Sequence, residues 1–262
     1  MRTRSSFTLI ELIIVIIIIA ILAYSLNFKF FNNSLQLASD SLINNIRLTE
    51  SLALKDDKYQ PFPLHKCDGS IQGKIECNRT KYWFKQWWHL KITTAGGDII
   101  YYIFSDQPKA YSTTNFDKKI VNSAQYTVEL AKNPEGKYLI GASKDETGSN
   151  SYPPLNEIDT KLNLTKTYNI VQVEYNNQKV DRYHPLDLLF DNYGNVFQSE
   201  GEKGDKGDIN PLDYKKRKIL TKNLYIRLCD KLDTSNKCIK NKENCIQINI
   251  TPTGFIYKSL CK

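Results

Sequence analysis

An unbroken apolar run with a single acid at its mouth constrains this chain more than any other feature. Phe7-Thr8-Leu9-Ile10-Glu11-Leu12 leads directly into residues 13–23, which are only Ile, Val, Leu and Ala. From Leu12 to Phe28 no residue is charged. As a helix rising about 1.5 Å per residue, that stretch measures roughly 25 Å, close to the ~30 Å hydrocarbon core of a bilayer. It reads as a membrane span. A carboxylate drawn to the centre of a bilayer costs on the order of 2.5–3.5 kcal/mol, so Glu11 at its edge needs a partner or a task.

The flanks are not those of a cleaved secretory signal. Ala23-Tyr24-Ser25-Leu26-Asn27 is followed by Phe28, Phe30 and Phe31 rather than by a small-x-small cleavage site. The small residues Ser5 and Ser6 precede the apolar run instead. With the motif from Phe7 to Leu12, this arrangement resembles the prepilin leader of type IV pilins and type II secretion pseudopilins. The resemblance implies a cut between Ser6 and Phe7, N-methylation of Phe7, and a filament-assembly role for Glu11. Ser6 stands where the family most often has Gly. Glu11 would meet the terminal amine of a neighbouring Phe7 in a low-dielectric bundle, where an unpaired charge is strongly disfavoured, and so pin the register of stacked subunits. A plain membrane anchor with Glu11 among the headgroups is the alternative.

Arg2 and Arg4, with no acid before Phe7, keep the N-terminus cytoplasmic and send the remainder across the membrane. The expected organisation is a leader over 1–6, a transmembrane and filament-core helix over 7–28, an amphipathic continuation over 29–60 and a periplasmic domain over 61–262. Within the family resemblance the chain sits in a bacterial inner membrane as a single-pass protein. Its partners are then other pilin or pseudopilin subunits, the prepilin peptidase, the inner-membrane assembly platform, and secreted cargo or DNA.

At 262 residues, 41% hydrophobic, the chain beyond the span is long enough for one core. The formal net charge of +8 falls to +6 if the leader is lost, which permits anionic partners without demanding them. Six cysteines, Cys67, Cys77, Cys229, Cys238, Cys245 and Cys261, form an even set outside the apolar run, as an exported domain would use for disulfides. Local pairing would join Cys67 to Cys77 and distribute the other four among themselves, though six cysteines allow about fifteen connectivities. Closing the ~10-residue Cys67–Cys77 loop stabilises by roughly 2.7 kcal/mol in the chain-entropy picture. No CxxC pair suggests zinc, and Asp205, Asp208 and Asn210 lack the ligand order of a calcium loop. No cofactor is expected.

Neither Gly nor Pro occurs before Pro61, and Phe28, Phe31, Leu35, Ala38, Leu42 and Ile46 recur at helical spacing. A straight helix is expected to end before Pro61 and Pro63. Strand and turn signals follow: Trp88-His89-Leu90-Lys91-Ile92, a Gly96-Gly97 turn, then residues 99–104, and later 170–173, 188–190, 196–198, 224–228, 246–250 and 255–257. The expected fold class is α+β, a long N-terminal helix packed on an antiparallel sheet. The turns around Gly194 and Gly254 look like those of GspH/FimT-type minor pseudopilins, with residues 82–140 as an insertion. Residues 144–156 and the Gly-rich 201–208 read as exposed loops.

One surface suggests an anionic polymer. On a strand, Trp83, Lys85, Trp87, His89 and Lys91 would share a face able to stack bases and meet phosphates. Lys215, Lys216, Arg217 and Lys218 add a basic run, and Lys237, Lys240 and Lys242 enrich the cysteine-bracketed tail. The competing expectation is that the aromatics are buried and the lysines solvated. His65, His89 and His184 belong to no nucleophile or metal motif, and no phosphate loop or nucleophile elbow is present, so no catalytic residue is assigned. The expectation is a minor pilin or pseudopilin, a filament subunit rather than an enzyme. A DNA-capturing minor pilin and a monomeric anchored domain are the alternatives.

Overall fold

The computed structural model describes residues 9–31, 33–56, 58, 69–70, 73, 77, 80, 83–108, 116–117, 129–142, 153, 155–199 and 217–261, with backbone alone at 23–31, 33, 85, 107–108, 116–117 and 217. Two helices lead, α1 (Leu9–Phe31) and α2 (Asn33–Lys55). The helix expected to run to residue 60 stops at Lys55. There tertiary partners take over: the Trp88 indole N–H donates to Asp56 Oδ2 at 2.9 Å, and Lys58 pairs with Asp56 and, at 2.6 Å, with Glu129. Among the described residues no helix is long and apolar enough to cross a membrane. The part of α1 with described side chains, residues 9–22, is about 21 Å long at 1.5 Å per residue, short of a ~30 Å core.

The single sheet expected from the strand pattern is in fact two main sheets. Strands β1 (Trp88–Ala95), β2 (Asp98–Ser105), β5 (Glu129–Leu130), β8 (Leu186–Phe190), β9 (Val196–Ser199) and β10 (Arg217–Ile219) form one, in the order β10-β9-β8-β1-β2-β5. The other comprises β6 (Gln172–Tyr175), β7 (Gln178–Lys179), β11 (Leu224–Cys229), β12 (Cys245–Ile250) and β13 (Ile256–Leu260), in the order β13-β12-β11-β6-β7. Every pairing between these strands is antiparallel, including a short ribbon of β3 (Gln107–Pro108) with β4 (Phe116–Asp117). Residues 82–140, expected as an insertion, instead supply the interior strands β1 and β2.

Helix α2 is the element the two sheets share. Its buried stripe, Leu35, Ala38, Leu42, Ile46 and Ala53, follows three- and four-residue spacing and meets Trp88, Leu90 and Ile92 of one sheet and Ile226, Ile248 and Ile250 of the other in one core. Polar residues along the stripe satisfy themselves locally: Ser39 Oγ donates to Gln36 O at 2.7 Å and Thr49 Oγ1 to Asn45 O at 2.7 Å. Cross-links fix the helix to each sheet. Asn45 Nδ2 donates to Tyr101 Oη at 2.9 Å, and Lys258 Nζ pairs with Asp40 at 2.7 Å.

The two turns singled out in the sequence are built alike and dock on the end of α2. Asp191 Oδ1 accepts from the N–H groups of Tyr193 and Asn195, and Thr251 Oγ1 accepts from that of Phe255. Gly194 and Gly254 follow at φ +79° and +80°, where a side chain would be strained. A Cβ at Gly194 would stand 3.2 Å from Leu54 Cδ2, and one at Gly254 would stand 3.4 Å from Glu50 Oε1.

Candidate functional site

Glu11 lies in the first described turn of α1, and its side chain is exposed. Around it, every described side chain from Leu9 to Leu22 is exposed, and Val15, the least exposed of the large apolar ones, is at 44%. Burying one such aliphatic side chain is worth about 1.5–3 kcal/mol. A column of isoleucines left uncovered by its own domain is therefore strongly driven into lipid or against other helices. Ser6 and Phe7, the expected cleavage and methylation positions, lie outside the described residues.

The aromatic and basic face expected on one strand is arranged differently. Trp83 and Lys85 fall in a short 3-10 helix (Trp83–Lys85) ahead of β1, not on a strand. Trp87 and Lys91 are 9% and 8% exposed and His89 is fully buried, so they offer a polymer little surface. The cover is local: Tyr102 and Phe104 pack with Ile140 and Ile158, and residues 131–141 run along β2 through Ala131 N–H to Ile103 O at 3.0 Å and Ile103 N–H to Leu139 O at 3.0 Å. Lys218 is exposed on β10. Lys215 and Lys216 lie outside the described residues, as do the side chains of Lys85 and Arg217. Lys237, Lys240 and Lys242 are exposed, in a stretch that also carries the exposed Lys231, Asp233 and Glu243.

Beneath the cover sits a charged cluster that the sequence did not reveal. The His89 ring stacks on Phe104 with centroids 4.6 Å apart, its Nε2 is 2.9 Å from Asp106 Oδ2 and its Nδ1 is 3.0 Å from Asp187 Oδ1. Burial alone would push the imidazole below its ordinary value of 6.5. The charges and hydrogen bonds of Asp106 and Asp187 outweigh that and hold it above. Lys91 lies opposite Asp187 in the β1–β8 register. With both ring nitrogens engaged by carboxylates inside the core, this imidazole is placed to bind strands together. The one sequence signal was Asp187 inside the otherwise apolar Leu186-Asp187-Leu188-Leu189-Phe190.

His184 belongs to a surface turn in which Asp181 Oδ1 accepts from the Tyr183 and His184 N–H groups, each at 2.7 Å. Burial raises the Asp181 carboxyl, but the hydrogen bonds from His184 and Tyr183 outweigh it and hold the group below its ordinary range.

Four cysteines close the second sheet. Cys229 bonds Cys238 and Cys245 bonds Cys261, with Cα separations of 5.7 and 5.9 Å. Cys77 is also disulfide-bonded; Cys67 lies outside the described residues. The sulfurs of Cys229, Cys238 and Cys245 lie within 4.8 Å of one another, a spacing a metal could use, but all three are committed to disulfides. Asp205, Asp208 and Asn210 lie outside the described residues.

A family model, the prokaryotic N-terminal methylation motif, matches residues 1–23. A search of curated proteins found no match, and neither did a search of solved structures.

Proposed function

We infer that this chain, type IV pilin-like by the methylation motif over residues 1–23, is a minor pilin or pseudopilin. A prepilin peptidase cuts it between Ser6 and Phe7 and methylates Phe7. It waits in the inner membrane with α1 in the bilayer, and joins a type II secretion pseudopilus or a type IV pilus. The observation that carries this reading is the pairing of that motif with a helix whose described apolar side chains, over residues 9–22, are exposed. The backbone of α1 is helical over 23 residues, about 35 Å at 1.5 Å per residue, a length comparable to the ~30 Å hydrocarbon core of a bilayer.

In this reading the division of labour is physical. The exposed isoleucine column supplies packing area in lipid and then in a filament core, and Glu11 supplies register. The two sheets gathered on α2 face outward with their disulfides. The intact mass of protein recovered from membranes tests processing: loss of residues 1–6 plus one methyl is expected, and an uncut chain overturns the assignment.

A further inference from the structure

Three cysteines stand in one row across neighbouring strands. Cys229 ends β11 opposite Cys245, the first residue of β12, and the β12–β13 register brings Cys261 to the other side of Cys245. The Asp230 N–H donates to Asn244 O at 3.2 Å, and the Cys245 N–H donates to Asn241 O at 3.1 Å. Cys229 and Cys245 are therefore a cross-strand pair without mutual hydrogen bonds, the kind whose side chains approach most closely. Their sulfurs are 4.0 Å apart although neither is bonded to the other. Cys245 thus has a competent partner on each side and uses only one. Burial differs along the row: Cys229 and Cys245 are sealed, whereas Cys261 is half-buried.

We propose that Cys245 is a shuttling sulfur: reduction at Cys261 converts the Cys229–Cys238 and Cys245–Cys261 bonds into one cross-strand Cys229–Cys245 bond, with Cys238 and Cys261 left as thiols. A dithiol reductant attacks the accessible Cys261 sulfur, forming a mixed disulfide and expelling Cys245 as thiolate. Freed of its staple, Cys245 turns about its Cα–Cβ bond and attacks Cys229 Sγ. The Cys229–Cys238 bond breaks, and Cys238 leaves with the electron pair and takes a proton from water. The second thiol of the reductant then closes its own disulfide and releases Cys261. One dithiol is oxidised and one protein disulfide is lost. The outcome changes the fold locally: edge strand β13 loses its covalent tie to β12, the loop over 230–244 opens at Cys238, and the central β11–β12 pair gains a bond.

The test titrates the full-length protein with dithiothreitol until half of Cys261 is reduced. Acid then traps the thiols, and alkylation in denaturant and peptide mapping follow. Alkylated Cys238 rising in step with Cys261, together with a linked Cys229–Cys245 peptide, is expected. Alkylated Cys245 in step with Cys261 while Cys229–Cys238 persists overturns the proposal, as does loss of Cys229–Cys238 while Cys245–Cys261 persists. The Cys261→Ser chain gives a second reading without reductant. It should carry Cys229–Cys245 and a free Cys238, and a free Cys245 beside an intact Cys229–Cys238 bond again overturns the proposal.

Discussion

His89 Nε2 stands 2.9 Å from Asp106 Oδ2 with both side chains fully sealed from solvent. Because Asp187 closes on the other ring nitrogen, the imidazolium ties β1 to β8 and to the residue that follows β2. Removing one member of a buried ionic cluster leaves its partners uncompensated, at a cost of about 3–5 kcal/mol. His89→Leu should lose stability on that scale in a guanidinium titration of the protein in mild detergent, followed by tryptophan fluorescence.

The same cluster sets a pH dependence. The folded state holds the His89 proton more tightly than the unfolded chain does, so its contribution is complete below 6.5 and is lost as pH climbs through the higher folded value. Stability should therefore decline from near-neutral into alkaline pH. In His89→Gln that part of the decline should vanish; a wild-type profile unchanged by the substitution would rule the linkage out.

Tyr101 offers a smaller test of how α2 is held. Its hydroxyl meets Ser41 Oγ at 3.1 Å and accepts from Asn45 Nδ2 at 2.9 Å, and burial raises its phenol above the ordinary range against the lowering effect of those two bonds. Tyr101→Phe keeps the ring and removes the tie. Ser41 and Asn45 are half-buried and can turn to water, so the loss should be only about 1–1.5 kcal/mol by chemical denaturation.

Local pattern was readable for α2 and for β1, β2, β6, β8, β9, β11, β12 and β13, but not for the two- and three-residue strands β3, β4, β5, β7 and β10. Spacing marked Leu35, Ala38, Leu42 and Ile46, and all four are buried. The Gly96-Gly97 turn marked the hairpin of β1 and β2. What could not be read was long-range. Nothing local distinguishes β8, which pairs with β1, from β6, which joins β11 in another sheet. Alternation put Trp87, His89 and Lys91 on one face, and in a sheet with one solvated face that means exposure. Here both faces are covered, and the described covering residues, 131–142 and 155–163, carry no strong period of their own. Asp106 and Asp187 are 17 and 98 residues from His89, so the cluster exists only after folding.

Gly141 marks how closely that cover is laid. A Cβ there would stand 2.4 Å from Leu162 O and 2.8 Å from Asn163 N, both backbone atoms, while the Gly141 N–H donates to Tyr101 O at 3.1 Å. Neither neighbour can give way by changing rotamer. Gly141→Ala should cost about 1–3 kcal/mol and raise amide exchange at Ile103 and Leu139 before it affects β11 or β12. Uniform loosening of both sheets would contradict a cover that acts locally.

Glu11 should separate assembly from folding. Its side chain lies on the exposed part of α1, away from the core shared by α2 and the sheets, so Glu11→Ala should leave the chemical denaturation midpoint of the globular part unchanged. If Glu11 meets the terminal amine of a neighbouring Phe7 in a low-dielectric bundle, its loss leaves that amine unpaired where isolated charge is most costly. Processing should proceed, the variant should accumulate in membranes at its cut and methylated mass, and its share in sheared filaments should fall at least tenfold. Glu11→Asp, which keeps the charge on a shorter arm, should recover part of it. Equal incorporation of wild type and Glu11→Ala would leave the acid without a role in register and make α1 a plain anchor.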